Sequence, residues 1–591
     1  MDNYLNNKHL VFTLGIGIGI ILYSYIASFI FAFLSGIDGR LLPWHIWHFA
    51  YEASQGMLDT KSQSRLSLAF GVPFLGILFA GGGIYELFSD KNKGLPQARW
   101  ATKADLRKAK LSGSEGLILG KFQGKYIMSD TPTHVAVIAP TRSGKGIGLV
   151  LPNLLNFNGS IVCLDVKEEN FEITSGFRSQ FGPVYKWSPM AKDGKTHCYN
   201  PFSVISRDKY QRITDLQILA TALIPEVQGE GSVWPDEAQA LFLGLALYVM
   251  ETEENPTLGK IKRLMGAEGE LGDICNKILD THDELPTAII LALRNFANKA
   301  AKERSGVKTT VNKALKLWDN DIVDSSTSSS DFDISSLRAQ KQTIYLSVAV
   351  NQIKTMAPLI KLFFEQTIKA LAEKRPDPND EPHQVLLLMD EFHLLGHMKV
   401  MEEAFTLLAG FNVRIMIVTQ SLTWLDAAYN KTVRNGILSC CAHQIFFAPN
   451  DLEDQEYVSK RAGQTSVQSE SVSSRSSFNY EPKTKNMNYR TVPLIHPHEV
   501  GQLDERKCII FVEKGKPIMA DKIIYDQEDG LKERAHLKVD IHIPEIIMQE
   551  GIIPEFKKDS ELDVDPNQGD MLTNELLGKG VKLDEISDDG V

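Results

Sequence analysis

Residues 134–155 read HVAVIAPTRSGKGIGLVLPNLL, two apolar runs joined by a loop that contains Gly144 and Lys145. The loop resembles the pattern G-x-x-x-x-G-K-[ST], which binds phosphate through backbone N–H groups where a strand passes into a helix. Two positions depart from that pattern, because Ala139 replaces the first glycine and Gly146 replaces the hydroxyl residue. The flanking runs supply the strand and the helix start that such a loop requires.

This loop provides the first set of candidate binding residues. Gly144 permits close approach of the backbone to a phosphate, and Lys145 is placed to reach the β and γ phosphates of a nucleotide. An ordinary strand–helix turn is the alternative for so short a motif. The predicted nucleotide-binding residues are Thr141, Arg142, Ser143, Gly144, Lys145, Gly146 and Ile147.

A second apolar run, VLLLM at 385–389, is followed by Asp390 and Glu391. Two carboxylates at the end of a buried strand are costly unless they serve a cation and a water. In phosphate-loop ATPases the aspartate holds Mg²⁺ and the following glutamate polarises the attacking water. An acidic pair that caps the next helix is the alternative, but the two motifs support each other. We therefore predict a working ATP site with Asp390 as the Mg²⁺ residue, directly or through a water.

A third run ends in IVTQS and places Gln420 at a strand end, where a polar group can sense the γ phosphate. The missing hydroxyl at Gly146 leaves Mg²⁺ one protein ligand short, and we expect Asp390 and water to complete its shell. The predicted catalytic residues are Lys145, Asp390, Glu391 and Gln420, and the predicted cofactors are ATP and Mg²⁺.

Continuous apolar runs predict strands that are buried on both faces of a parallel sheet covered by helices. Residues 507–526 predict a hairpin with its turn at Gly515, which we place at an antiparallel edge. A helical tract at about 208–320 interrupts the strands and should form a separate all-α lobe. The Ser-rich segment 466–488 predicts a mobile loop. The six runs lie at 134–140, 160–167, 343–350, 385–392, 413–420 and 444–450.

Two N-terminal stretches, 10–34 and 66–85, contain no charged residue. A helix needs about 20 apolar residues to cross a membrane, so both stretches predict membrane spans. A signal peptide for the first and a buried core helix for the second are the alternatives. Residues 91–110 carry seven Lys or Arg against three in 35–65, which predicts a cytoplasmic C-terminal part.

Composition narrows the class of partner. The 591 residues carry a formal net charge of −11, which argues against a broad nucleic-acid-binding surface but leaves room for a local basic pore. The six cysteines lack metal-ligand spacing and are expected to be reduced, with no structural metal site. Residues 551–591 hold eleven Asp or Glu against four Lys and predict a disordered acidic tail.

Many ordered blocks along the chain resemble the coupling proteins of type IV secretion, the TraG/VirD-type ATPases of conjugation and effector export. The resemblance extends from the two predicted spans to about residue 526. In that family G-K-G often replaces G-K-[ST], so Gly146 and Ala139 look like family traits, whereas His393 stands where relatives often have proline. The blocks are ARWATKADLRKAKL (98–111), HVAVIAPTRSGKGIGLVLPNLL, SIVCLDVKEENFEITSGFR (160–178), YNPFS (199–203), WPDEAQALFLGLALY (234–248), SDFDISSLRAQKQTIYLSV (330–348), LLLMDEFHLLG, IMIVTQSL and FFAPND (446–451).

The resemblance implies a two-pass protein of the bacterial inner membrane that forms a homo-hexameric ring, with nucleotide between protomers. Its implied partners are the membrane, the type IV secretion channel components and the cargo, which is a relaxase with single-stranded DNA, secreted effector proteins, or both. The helical lobe would help to select this cargo. Two other functions remain open: a nucleotide-dependent substrate receptor without motor activity, and an FtsK-like DNA translocase, for which no C-terminal winged-helix region is found.

The predicted fold class is α/β, with two N-terminal transmembrane helices and a RecA-like P-loop ATPase domain whose parallel sheet carries an inserted all-α domain. The predicted boundaries are 1–9 for a cytoplasmic N-terminus, 10–34 and 66–88 for the spans, 35–65 for a periplasmic loop, 89–205 with 321–535 for the ATPase domain, 206–320 for the all-α domain and 536–591 for the acidic tail.

Overall fold

The computed structural model describes residues 2–37, 42–88, 97–225, 233–282, 284–473 and 484–549. Contacts within the chain divide it into two compact units, Met1–Pro96 and Gln97–Val591.

The first unit contains the helices α1 (Asp2–Ser35), α2 (His45–Ser54) and α3 (Thr60–Phe88). The indole N–H of Trp47 donates a hydrogen bond to the Ser24 hydroxyl at 2.8 Å and ties α2 to α1. Both predicted spans lie within helices, the first in α1 and the second in α3. Among the described residues, however, no helix has both the length and the apolar character that a membrane crossing needs, so the two spans are not confirmed.

The second unit is built on a sheet that has eleven strands among the described residues, in the order β2-β1-β13-β12-β9-β3-β8-β7-β4-β6-β5. A separate pair, β10 and β11, forms a two-stranded sheet. The strands in chain order are β1 (Leu117–Phe122), β2 (Lys125–Ser129), β3 (Val135–Ile138), β4 (Ser160–Asp165), β5 (Val184–Trp187), β6 (Thr343–Ser347), β7 (Val385–Met389), β8 (Val413–Thr419), β9 (His443–Phe447), β10 (Gln464–Ser473), β11 (Thr484–Pro493), β12 (Lys507–Val512) and β13 (Ile518–Asp521).

The parallel part of this sheet confirms the six strands predicted from the apolar runs. Strands β9, β3, β8, β7, β4 and β6 lie side by side and run parallel. Their residues are buried throughout, as expected for strands covered on both faces. The short strand β5, which extends this part at one edge, was not predicted from the sequence.

The hairpin predicted over 507–526 is confirmed as β12 and β13, with the N–H of Gly515 bonded to the Val512 carbonyl at 3.2 Å. Its predicted place at the sheet edge is wrong. Strand β12 pairs with β9 on one side, and the β1–β2 hairpin extends the sheet beyond β13. Strand β1 pairs with β13, and β2 pairs with β1, so the β1–β2 hairpin covers the β13 edge, which would otherwise expose unpaired backbone groups.

Helices cover this sheet, and several of them lie in the long segment that connects β5 to β6. Short 3₁₀ turns and one π-helical turn at Gly146–Val150 connect several of them. The helices are α4 (Lys103–Lys108), α5 (Leu151–Leu154), α6 (Glu169–Arg178), α7 (Arg212–Leu223), α8 (Val233–Thr252), α9 (Leu258–Met265), α10 (Leu271–Thr281), α11 (Thr287–Ala297), α12 (Ala301–Ala314), α13 (Asp321–Ser326), α14 (Ile353–Ala372), α15 (Lys399–Leu407), α16 (Leu422–Cys440), α17 (Leu452–Ala462), α18 (Pro497–Gly501) and α19 (Asp529–Ala535).

The helices α7 to α12 lie within the helical tract predicted over about 208–320, and α13 begins just after it. Helix α8 packs closely on α11, because a Cβ at Gly244 would lie 2.7 Å from the Ala292 Cβ. Buried side chains of this tract, such as Phe242 and Leu293, belong to the same apolar cluster as Val162 of the sheet. The tract therefore shares a core with one face of the sheet, and the predicted domain boundary at 206–320 stays a prediction.

The segment 466–488 was expected to be a loop, and the structure contradicts this. Residues from Gln464 to Ser473 pair in register with residues from Pro493 back to Thr484. The backbone groups of the two strands satisfy each other, so a polar, Ser-rich composition does not prevent a ladder. The tip of this hairpin, 474–483, lies outside the described residues.

Residues 536–549, the first part of the predicted acidic tail, run along the surface of the second unit. The N–H of Thr196 donates to the Pro544 carbonyl at 3.0 Å, and the N–H of Ile546 donates to the Gly194 carbonyl at 2.8 Å. The segment also passes so close to α6 that a Cβ at Gly176 would lie 1.8 Å from the Leu537 carbonyl oxygen. The remainder of the predicted tail, from residue 550 onward, lies outside the described residues.

Candidate nucleotide-binding site

The loop between β3 and the following helical turn has the backbone form of a phosphate-binding loop. Arg142 has φ of 61° and Gly144 has φ of 84°, so both are left-handed on either side of Ser143. A Cβ at Gly144 would meet nothing within 4 Å, so backbone conformation and not space calls for glycine here. Within the described part of the chain, the N–H groups of Gly144 and Lys145 have no hydrogen-bond acceptor. Free N–H groups at such a turn are suited to bind an anion.

The helix after the loop is short and begins irregularly. Gly146–Val150 forms a π-helical turn, and α5 ends at Leu154. Gly148 lies against the rest of the unit, because a Cβ there would be 3.1 Å from the Ile523 carbonyl oxygen. Thr141, Arg142 and Ile147 are exposed at the mouth of the loop.

Lys145 points toward the carboxylates after β7. Its Nζ donates to Glu391 Oε1 at 2.5 Å, and both side chains are buried, with 7% and 9% of their surfaces exposed. Gln420 Nε2 donates to Glu391 Oε2 at 3.2 Å. Three of the four predicted catalytic residues therefore form one hydrogen-bonded chain.

Strand order explains why these residues meet. Strand β8 lies between β3 and β7, and all three run parallel, so their carboxyl ends share one edge of the sheet. Lys145 follows β3, Gln420 follows β8, and Glu391 follows β7. Apolar runs in the sequence located the strands, and their parallel alignment brings the polar residues that follow them together.

Asp390, the fourth predicted catalytic residue, is buried beside this chain with 6% exposure. Its Oδ1 accepts a hydrogen bond from the Glu391 N–H at 3.0 Å. Burial raises the pKa of Asp390 to about 6, against the opposing effect of the Lys145 ammonium. A carboxylate that is poorly solvated and only partly compensated fits a nearby cation.

The donor set around Asp390 fits Mg²⁺ only as part of a complex with phosphate. No group of three or more His, Cys, Asp or Glu side chains among the described residues is arranged to hold a metal ion. Mg²⁺ is commonly held by one or two carboxylates together with substrate phosphates and water, so a single buried aspartate is compatible with that mode.

Two buried residues near this hydrogen-bonded chain of side chains were not predicted as site residues. Asp165 ends β4, next to β7, and its Oδ2 accepts from the Phe171 N–H at 3.0 Å. Burial raises the pKa of Asp165 to about 6, and Asp390 adds to the effect. His393 Nδ1 lies 3.7 Å from Glu391 Oε2, and burial lowers the pKa of His393. Asp165 follows an apolar run as Asp390 does, and that signal could have identified it.

The fold and this cluster define an α/β protein of the phosphate-loop class, in which a strand, a loop with free N–H groups and a lysine face strand-end carboxylates. The family model described as Type IV secretory system Conjugative DNA transfer matches residues 98–549. The chain belongs to this family, that of the TraG and VirD4 coupling proteins, as the resemblance in the sequence predicted.

Individual relatives agree with the family. Protein VirD4 of Rhizobium radiobacter is 33% identical over 524 residues, which cover 86% of this chain and 74% of the relative. Conjugal transfer protein TraG of Escherichia coli is 28% identical over 477 residues, covering 73% of this chain and 74% of that protein. In fold, the chain is similar to the unbound bacterial conjugative coupling protein TrwBdeltaN70, with a TM-score of 0.55, 16% identity and coverage of 73% of this chain and 93% of that one.

Proposed function

We propose that this coupling protein binds ATP with Mg²⁺ and hydrolyses it to move cargo into a type IV secretion or conjugation channel. The observation that carries the proposal is the hydrogen-bonded chain from Lys145 through Glu391 to Gln420. It lies beside a loop in which the Gly144 and Lys145 N–H groups have no acceptor among the described residues. The fold neighbours include TrwB in complex with ADP and Mg²⁺ and with the ATP analogue ADPNP, and these complexes support the proposed binding of a nucleotide.

The geometry suggests how nucleotide and water would be handled. In the structure the Lys145 ammonium neutralises Glu391. Phosphates that enter the loop accept hydrogen bonds from the free N–H groups and compete with Glu391 for that ammonium. Glu391 is then released to orient the attacking water, while Gln420 keeps one of its carboxylate oxygens in place. Bound Mg²⁺, held by Asp390 directly or through a water, supplies positive charge for the phosphates.

The remaining parts of the proposal concern assembly and cargo. We propose a homo-hexamer at the bacterial inner membrane, with a two-pass N-terminal unit and the second unit in the cytoplasm. Its partners are the channel components, and its cargo is a relaxase with single-stranded DNA, effector proteins, or both. The names of the relatives refer to conjugal transfer and to type IV secretion coupling, and they support the proposed channel and cargo.

The test is ATP turnover and binding by the purified full-length protein, with and without single-stranded DNA. We expect Glu391→Gln to bind ATP but to lose turnover by a factor on the order of 10² or more, because the water loses its base. The control is Glu403→Gln, an exposed glutamate of α15 that should leave both properties unchanged. Binding without turnover in the unmodified protein would favour a receptor without motor activity, and absence of binding would refute the site.

A further inference from the structure

Lys522 directly follows β13 and contacts the phosphate loop, which lies far from it in the sequence. Its Nζ donates a hydrogen bond to the Ser143 carbonyl oxygen at 3.0 Å. The same ammonium lies 4.1 Å from the centroid of the Phe447 ring. The backbone of Lys522 is itself fixed, because its N–H donates to the Arg506 carbonyl at 2.7 Å. The lysine therefore reaches the loop from a rigid part of the sheet.

The electrostatic setting of Lys522 is unusual for a half-buried cation. The neighbouring carboxylate, Asp521, is paired with Lys507 at 2.5 Å. Within the described part of the chain, Lys522 itself has no ion pair, and burial lowers its pKa. Its partners are the Ser143 carbonyl and the face of the Phe447 ring. The positive charge strengthens the hydrogen bond to the carbonyl, and the contact with the ring is a cation–π interaction. The placement of a half-buried lysine with these partners therefore needs a reason, and the structure of the loop provides one.

That reason lies in the peptide unit between Ser143 and Gly144. The C=O and N–H of one trans peptide point in opposite directions. A donor that holds the Ser143 oxygen on one side therefore sets the direction of the Gly144 N–H on the other. The Gly144 N–H has no acceptor among the described residues, so it is available to a ligand. The left-handed residues Arg142 and Gly144 flank this peptide, and backbone of that kind persists only where its surroundings hold it.

We infer that Lys522 is a positioning residue of the phosphate loop, which holds the Ser143–Gly144 peptide so that the Gly144 N–H faces the bound phosphates. The inference rests on the proposed nucleotide binding. Lys522 acts through the backbone and does not take part in the hydrolysis chemistry. Its loss therefore weakens the binding of any ligand with a phosphate in the loop and leaves the rate of the chemical step unchanged.

The test compares Lys522→Met and Lys522→Arg with the control Lys514→Met in the full-length protein. Methionine keeps the apolar stem over Phe447 but removes the donor, and arginine retains both charge and donor. Lys514 lies in the turn of the same hairpin and is 89% exposed. We measure the Kd of ADP and of inorganic pyrophosphate by calorimetry, and kcat at saturating ATP.

We expect Lys522→Met to raise both Kd values about tenfold, because the Gly144 N–H is no longer held toward the phosphates and one hydrogen bond to the ligand is lost. The value of kcat should stay within about twofold, and Lys522→Arg should restore most of the affinity. Backbone hydrogen exchange of 141–147 without ligand should be faster in Lys522→Met, with exchange in β13 unchanged. Unaltered Kd values in Lys522→Met, or no recovery in Lys522→Arg, would overturn the inference.

Failure of the proposed function gives a different pattern. If the unmodified protein does not bind ADP, or if Lys145→Ala binds it equally well, the nucleotide site itself is wrong. If Lys522→Met does not fold by circular dichroism, Lys522→Thr replaces it, since threonine stays polar but its hydroxyl is too short to reach the Ser143 carbonyl. Weaker ADP binding by Lys522→Thr supports the positioning role, and unchanged binding overturns it.

Discussion

Lys145 and Glu391 are paired in a buried environment, at 2.5 Å from Nζ to Oε1. Such a pair is stabilising only while both partners are present, because removing one leaves an uncompensated buried charge that costs about 3–5 kcal/mol. In the proposed mechanism the lysine also serves phosphate and the glutamate also serves water. The pair therefore places the two side chains of that mechanism against each other, where each neutralises the charge of the other.

Asp390 gives the first prediction at the scale of single residues. Its pKa, about 6 in the folded protein, lies above the ordinary aspartate value of 3.8, so the folded state binds more protons between those values. Stability without Mg²⁺ and nucleotide therefore falls as pH rises from about 4 to 6, and the cost at pH 7 is on the order of 3 kcal/mol. We expect Asp390→Asn to be more stable than the unmodified protein at pH 7, with the difference shrinking toward pH 4.

Urea unfolding at several pH values, with and without Mg²⁺ and ADP, checks this. Ligand addition should stabilise the unmodified protein more than the variant, since the carboxylate gains a cation. The control is Asp380→Asn, an exposed aspartate in the turn before β7. Equal stability of Asp390→Asn and the unmodified protein at pH 7 would contradict the assignment of a raised pKa to burial.

At the scale of elements, the sequence predicts the six parallel strands that are buried throughout and the β12–β13 hairpin, and it misses β1, β2, β5, β10 and β11. Strands β3, β7 and β8 are buried throughout, and their carboxyl ends carry Lys145, Asp390, Glu391 and Gln420. Strand β1 has three apolar residues before Gly120, β2 is partly exposed, β5 reads VYKW with a lysine inside it, and β10 and β11 are polar, so none of them carries a long apolar run. The role inferred for Lys522 depends on pairing between distant segments, which no local pattern encodes.

Helix α6 supports a prediction about the segment that follows α19. Alanine is ordinarily better than glycine inside a helix by up to about 1 kcal/mol. At Gly176 the order should reverse, because the added Cβ would lie 1.8 Å from the Leu537 carbonyl oxygen. We expect Gly176→Ala to release residues 537–549 and to speed tryptic cleavage at Lys538. Gly436→Ala in α16, where a Cβ meets nothing within 4 Å, is the control, and equal cleavage rates in both variants would contradict the predicted clash.

At the scale of the whole molecule, one chain already holds the loop, the lysine, the carboxylates and the glutamine. Whether turnover also depends on a neighbouring subunit is a separate matter, and the proposed hexamer places nucleotide between protomers. A net charge of −11 argues against a broad DNA-binding surface and leaves room for a local basic path, which the proposed ring would line. We therefore expect the proposed motor activity to depend on the assembled ring.

Mixing active and inactive chains tests this dependence. If each protomer works alone, an equal mixture of unmodified protein and Glu391→Gln retains half of the activity. If subunits act together around a ring, one inactive chain impairs its neighbours, and we expect the mixture to retain well under half, with a steeper loss as the inactive fraction grows. Glu403→Gln chains, mixed in the same ratio, should cause no loss. Activity that falls in strict proportion to the active fraction would contradict shared sites and would mean that each subunit hydrolyses ATP independently of its neighbours.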